Sequence, residues 1–289
     1  MKNLKTILFL TVFAILGAFT VSAQRVESDS KLIGRWDLTI MMEKDQLENL
    51  GMFRHGLMAA DGFPGWLEVK LSGFSTLVGY YVGYEGSARP IAEVKYDAAK
   101  GKYHFTIPPQ WMDIDDIYFE FSLKDDKLSG YKLLDGNKLK FTGVRAPSLK
   151  RSEPPVWGNP INLLTDNMDR WIIPENNKFK MVDGVLVNPE KGGNLITNQK
   201  FNDFKLSIEF KIPAGSNSGI YLRGRYEVQI EDSKGRADRV SVGGLYGFIE
   251  PSVNASKNQG EWQTYEISLV GRHVTIVLNG VEVVSNRPI

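Results

Sequence analysis

The stretch that most constrains this chain is residues 215–234, Gly-Ser-Asn-Ser-Gly-Ile-Tyr-Leu-Arg-Gly-Arg-Tyr-Glu-Val-Gln-Ile-Glu-Asp-Ser-Lys. Its apolar residues alternate, which is the pattern of a half-buried β-hairpin. Ile220 and Leu222 point one way, Tyr221 and Arg223 the other. On the return strand Val228 and Ile230 face inward, and Glu227, Gln229 and Glu231 face outward. Opposed residues of an antiparallel pair share a face, so the loop must have an odd length. A three-residue loop, Gly224-Arg225-Tyr226, pairs Leu222 with Val228, Tyr221 with Gln229 and Arg223 with Glu227. One face is then apolar and the other gathers Tyr, Arg, Glu and Gln. On spacing alone the patch reads two ways. It is either a solvated sheet face, whose Arg–Glu pair is worth about 0.2–1 kcal/mol, or a face that binds and reacts.

Composition narrows the classes. The 289 residues are 42% hydrophobic and 24% charged, which is the balance of a folded globular protein and not of a disordered chain. The length suggests two domains. A net charge of +1 offers no field that would draw nucleic acid or an anionic membrane. Cysteine is absent, so disulfides, thiolate nucleophiles and Cys-ligated zinc are excluded. Abundant Gly, Phe, Tyr and Val, with few helical periodicities, point to an all-β protein.

The chain starts as an exported protein does. Lys2 and Lys5 form a positive segment, Ile7 to Phe19 is apolar, and Val21-Ser22-Ala23 is a small-residue cleavage site. Residues 1–23 therefore read as a signal peptide, leaving Gln24 first. No cysteine follows to accept a lipid, and no other apolar run is long enough to span a bilayer. The expectation is an exported protein, in a periplasm, with no stable membrane insertion after cleavage.

Residues 31–150 alternate in short runs. Strands are expected at Lys31–Ile40, Gly65–Leu71, Ser75–Val82, Ala92–Tyr96, Lys102–Ile107, Asp116–Leu123, Lys127–Leu134 and Lys138–Val144, separated by turn-forming Asp, Gly and Asn. This predicts a small antiparallel barrel. Gly34-Arg35-Trp36 resembles the G-x-W that opens lipocalin-like barrels. Met41–Met58 reads equally as a hairpin connection or a short helix. His55 and His104 share no metal-ligand spacing and read as structural, and Trp66 and Trp111 as core. The expected role of this module is packing or gathering of substrate.

Residues 145–160 hold four of the chain's 13 prolines and predict a semi-rigid linker. Beyond it, Phe204–Ile212 alternates cleanly, which places Glu209 on the face opposite the core. Further strands are expected at Trp262–Val270 and His273–Leu278. Asn279-Gly280 is a strong two-residue hairpin signal.

Several of these motifs belong together. Asn217 to Gly224 (N-S-G-I-Y-L-R-G), Tyr226 to Ile230 (Y-E-V-Q-I) and Asp232-Ser233 resemble the core of the 3-keto-disaccharide hydrolase domain family. That family is also described as 3-keto-glucoside 1,2-lyase and 3-keto-2-hydroxy-glucal hydratase. Trp157-Gly158-Asn159-Pro160-Ile161 through Trp171, Gly260-Glu261-Trp262-Gln263-Thr264-Tyr265 and Leu278-Asn279-Gly280 resemble it as well, with Gln263 where the family has Asn. The resemblance covers residues 157–289. It implies a concanavalin A-like jelly-roll sandwich beside the barrel, with its site on the concave sheet. It also implies a closing segment that this sequence lacks after Ile289, so that a C-terminally truncated domain with an exposed edge is expected.

The resemblance implies a reaction: a 3-keto-glycoside loses its C2 proton, expels the C1 substituent and adds water to the 2-hydroxy-glucal. Such chemistry needs a base, a donor for the enolate oxygen and an acid for the leaving group. Glu227 and Glu209 are candidate base and acid, and Arg223 is a candidate enolate holder. Tyr221, Gln229, Asp232 and Asn217 are candidate sugar-binding residues. The metal is unknown: a divalent cation on Glu, Asp and Gln oxygens fits, though no spacing demands it. The partner is a small-molecule sugar, and the oligomeric state is open. Two other readings stay open, a lectin-like binding module and a conventional glycoside hydrolase. Against the latter, Glu227-Val228-Gln229-Ile230-Glu231 lacks the carboxylate spacing of jelly-roll glucanases.

Overall fold

The computed structural model describes residues 31–41, 62–83, 88–109 and 115–289. The signal segment, most of Met41–Met58, His55 and Trp111 lie outside the described residues. The described residues are almost entirely β-strand and loop, as the alternation predicts, and among them no helix is long and apolar enough to cross a membrane. The described residues divide into two compact units, one of residues 31–38, 66–81, 90–109 and 115–146, the other of residues 39–41, 62–65, 82–83, 88–89 and 147–289.

The N-terminal part of the chain, most of it in the first unit, forms a closed barrel of eight strands in sequential order. They are β1 (Gly34–Ile40), β2 (Phe63–Ser72), β3 (Thr76–Val82), β4 (Ala88–Asp97), β5 (Lys102–Ile107), β6 (Ile117–Lys124), β7 (Lys127–Leu134) and β8 (Asn137–Arg145). The expected strands fall within a few residues of these. Closure removes the unpaired edges that an open sheet of this size would present. The barrel is filled by rings. Phe105 and Phe119 stack at 4.6 Å, Tyr81 lies 4.8 Å from Phe119, and Phe141 meets Phe119 and Phe121 at 5.8 and 6.0 Å. Gly130 makes room for this filling: a Cβ there would lie 2.1 Å from the Glu120 carbonyl oxygen and 2.5 Å from Phe121 Cβ. Trp36 is fully buried, donates from Nε1 to Leu32 O at 3.0 Å, and lies 3.7 Å beneath the Arg145 guanidinium. His104 sits on β5 opposite Glu120, half-buried.

Residues 146–160 contain no strand, in keeping with a linker composition. The main body of the second unit follows. Its strands are β9 (Trp171–Ile172), β10 (Lys180–Val182), β11 (Val185–Val187), β12 (Ile196–Thr197), β13 (Phe204–Phe210), β14 (Asn217–Leu222), β15 (Tyr226–Glu231), β16 (Gln263–Val270), β17 (His273–Leu278) and β18 (Val281–Pro288). They form a four-stranded antiparallel sheet in the order β13-β16-β17-β18 and three two-stranded ladders, β9 with β12, β10 with β11, and β14 with β15. Asn279 (φ 51°) and Gly280 (φ 81°) make the tight turn between β17 and β18.

One residue ties the large sheet to the hairpin. Tyr265 on β16 is wholly buried, stacks on Phe210 at 4.9 Å, donates its hydroxyl proton to Gln229 O at 2.6 Å and accepts from Gly243 N–H at 2.7 Å. Burial holds its phenol protonated far above the usual range. Leu222, Val228, Ile267, Leu269, Val274, Ile276 and Leu278 complete this core, each no more than 1% exposed.

Candidate active site

The β14–β15 hairpin has a three-residue loop, but the loop is Arg223-Gly224-Arg225. The register therefore differs from the sequence expectation. Tyr221 faces Glu227, Gly219 faces Gln229 and Asn217 faces Glu231. The turn chemistry explains the difference. Arg223 (φ 51°) and Gly224 (φ 67°) both adopt left-handed backbone, and Arg225 N–H closes the turn on Leu222 O at 3.1 Å. Gly224, with no Cβ, adopts this conformation without strain at the centre of the turn. The ladder slides by two residues, and every side chain that stays within it keeps its face.

Arg223 consequently leaves the polar face. It is part of the turn, and its Nη1 donates to Gly271 O at 2.6 Å while Nε and Nη2 both donate to Asn202 O. Its Nη2 also stands 3.6 Å from Asp203. Asp203 in turn accepts two hydrogen bonds from Arg151, at 2.7 and 2.8 Å, and one from Gly271 N–H at 2.8 Å. The bonds from Arg151 are the main reason its carboxyl titrates below the usual range.

What remains on the face is centred on Glu227. Tyr221 Oη donates to Glu227 Oε2 at 3.2 Å. Gly219, the next residue on that face, leaves the space the carboxylate occupies: a Cβ there would lie 2.1 Å from Glu227 Oε1. Burial pushes the carboxyl up to about 7, against a smaller opposing effect of the Tyr221 hydrogen bond. Gln229 is 1% exposed, not a solvated position, and its side-chain oxygen has no hydrogen-bond partner among the described residues.

A third segment completes the face. Residues 243–246 run antiparallel along the free edge of β15. Gln229 N–H donates to Gly244 O at 3.0 Å, Val228 bridges Leu245, and Tyr246 N–H donates to Glu227 O at 2.9 Å. Tyr246 is thereby opposite Glu227, and residues so opposed share a face. Burial, then the charges of Glu227 and Glu231, push the Tyr246 phenol up to about 12. The sequence reading missed Tyr246. The segment around it has no alternating pattern, and only the edge of β15 gives it strand-like geometry.

The other expected residues are dispersed. Glu209 is exposed on β13, opposite Thr264 of β16, in the four-stranded sheet. The ladder that would make it a neighbour of the Glu227 face does not form, because β13 pairs with β16. Asp232 accepts from Gly215 N–H at 3.0 Å and its own N–H donates to Ser216 O at 3.0 Å, so it clasps the open end of the hairpin. Asn217 is exposed at that end. Glu231 shares the face of Glu227 but is bound to Arg236 at 2.6 Å. Four residues of strand separate the two glutamates, about 13 Å, wider than the roughly 5–9.5 Å of paired glycosidase carboxylates. Gln263 is structural: its side-chain oxygen accepts from Lys257 N–H at 2.9 Å and Asn279 Nδ2 at 3.2 Å. Among the described residues no group of three or more His, Asp or Glu side chains is placed to hold a metal ion.

Two solved structures from Parabacteroides distasonis ATCC 8503, both provisionally named glycosyl hydrolases, are similar to this chain. One is 32% identical with a TM-score of 0.40, covering 45% of this chain and 65% of its own. The other is 25% identical with a TM-score of 0.38, covering 42% of this chain and 68% of its own. This chain thus spans about two thirds of the length of each relative. No curated protein matches it. Residues 159–288 match the 3-keto-alpha-glucoside-1,2-lyase-like domain family, the same family that the hairpin motifs resemble.

Proposed function

We propose that the second unit, a jelly-roll domain in this reading, cleaves 3-keto-glycosides by elimination and hydration, with Glu227 as the proton-transfer group. The observation that carries the proposal is a largely buried carboxyl, titrating at about 7, held by a tyrosine on a face cleared by glycine. A group half-ionised at neutral pH serves both as base and, once protonated, as acid. The C3 carbonyl acidifies the C2 hydrogen. Glu227 takes that proton, and the electron pair of the C2–H bond forms the C2–C3 double bond as the carbonyl electrons move to O3. Return of those electrons re-forms the carbonyl and drives a C1–C2 double bond. The C1–oxygen bond breaks, and the departing oxygen takes the proton from Glu227. Water then adds across the 2-hydroxy-glucal. Gln229 offers an acceptor to a sugar hydroxyl. Arg223 and Asp232, held in turn and hairpin contacts, and Glu209, in another sheet, have no part in this proposal.

The test is incubation of wild type and Glu227→Gln with a 3-keto-glucoside and with its unoxidised parent. Release of aglycone from the keto form alone, lost in Glu227→Gln, is the expected result. Cleavage of the unoxidised sugar refutes the proposal in favour of a conventional hydrolase, and binding without turnover refutes it in favour of a lectin. We propose also that the protein is exported, on the strength of residues 1–23; the exported protein should begin at Gln24 on N-terminal sequencing.

A further inference from the structure

The mechanism leaves one role unfilled. Charge develops on O3 as the C2 proton leaves, and a donor must meet it there. The cation expected for this role, Arg223, is committed to Asn202 O, Gly271 O and Asp203. Tyr221 has its proton on the base itself. We propose that Tyr246 is a catalytic residue of this site, the hydrogen-bond donor to O3 of the enolate.

Three features of the fold place it there. First, Tyr246 stands opposite Glu227 on the strand edge away from Tyr221, so the carboxylate has a phenol on either side in one row across three chain segments. Second, the segment that presents it is fixed. Asp238 Oδ1 accepts from Val240 N–H at 3.1 Å and from the Ser241 hydroxyl at 2.6 Å, Ser233 Oγ accepts from Val242 N–H at 2.9 Å, and Gly247 N–H donates to Arg239 O at 2.7 Å. A donor held by its scaffold loses little energy in reorganising as charge appears. Third, the neighbouring row is Gly219, Gln229 and Gly244, and both glycines permit close packing: the Glu227 carboxylate fills the space at Gly219, and Ile249 O would lie 2.8 Å from a Cβ on Gly244, so the Tyr246 segment is seated tightly against β15. The phenol stays protonated across the neutral range, as a donor must. In the first step the Tyr246 proton is shared with O3 and returns when the carbonyl re-forms, so the residue ends each cycle unchanged.

This inference rests on the 3-keto-glycoside reading, and its test separates the two. A 3-keto-glucoside is incubated in D2O with wild type, Tyr246→Phe and Tyr246→His, and both deuterium entry at C2 and aglycone release are followed by NMR. Tyr246→Phe is expected to slow both by roughly 100-fold or more, the usual effect of removing one such donor, with the pH midpoint of the Glu227 limb unmoved. Tyr246→His, which restores a donor, is expected to regain part of the exchange rate. Exchange at the wild-type rate in Tyr246→Phe overturns the role of Tyr246 while leaving the proposed function intact. Should Tyr246→Phe not fold, exchange by Tyr246→His below one-thousandth of wild type overturns it and exchange within about 30-fold supports it; where both fold, equal rates in the two overturn it. Failure of wild type itself to exchange or eliminate overturns the functional reading and this inference together.

Discussion

Arg223 reaches back 3.6 Å to Asp203, although it lies only four residues from Glu227 in the sequence. A left-handed backbone at a non-glycine residue is uncommon, and here the guanidinium's bonds to Asn202 O and Gly271 O hold it. Arg223→Ala should therefore act on the fold. Loss of these partly exposed bonds is expected to cost about 1–2 kcal/mol. Denaturant unfolding measures this, and turnover per folded molecule should stay within about threefold of wild type, well under the roughly 100-fold loss of a direct oxyanion donor. A collapse of turnover with unchanged stability would return Arg223 to the chemistry.

Glu227 gives the site its pH dependence, and the sign follows from burial. Its folded pKa, about 7, lies above the ordinary 4.5. The folded state therefore binds more protons than the unfolded state between those values, and this group's contribution to stability falls as pH rises from about 4.5 to about 7. The loss is at most about 3 kcal/mol. Glu227→Gln should lack it, and so should gain in melting temperature on wild type as pH is raised from 5 to 8. Activity runs the other way, since the base is the ionised form. In wild type the rate should rise through pH 7.

Gly219→Ala places a methyl group where the Glu227 carboxylate now lies. The clash is with the Glu227 side chain from Cγ outward and not with backbone, so the cheapest response is for the whole side chain to swing aside. Turnover should fall by about 100-fold, in line with the sensitivity of catalysis to small displacements. The melting temperature should change little, because alanine in a strand also lowers the entropy of the unfolded chain. Retained turnover would mean the carboxylate works from another position.

Gly130→Ala in the barrel makes the opposite case. Its Cβ would meet the Glu120 carbonyl oxygen at 2.1 Å, and the backbone of β6 cannot swing aside. Overpacking of this kind costs about 1–3 kcal/mol or more. The variant should unfold at lower denaturant, with Phe121 displaced. Stability equal to wild type would show that the barrel has space beside Phe121.

The sequence by itself determined the strands. A side-chain period of two is a local property, written in Phe204 to Phe210 and Lys127 to Leu134 without help from the rest of the chain. It determined the turns at Asn279-Gly280 and around Gly224 for the same reason, because few residues accept left-handed backbone. It also carried the family motifs and marked Glu227 as a candidate. Tertiary structure decided which strands pair, and hence that Glu209 stands in another sheet. It decided the hairpin register, since two pairings two residues apart put the same side chains on the same faces and differ only in turn strain and in the contacts of Arg223. It decided the burial of Glu227, which sets its proton affinity and depends on what packs over the strand. And it brought Tyr246 beside Glu227 through a segment with no pattern of its own, ordered by the hydrogen-bonding edge of β15.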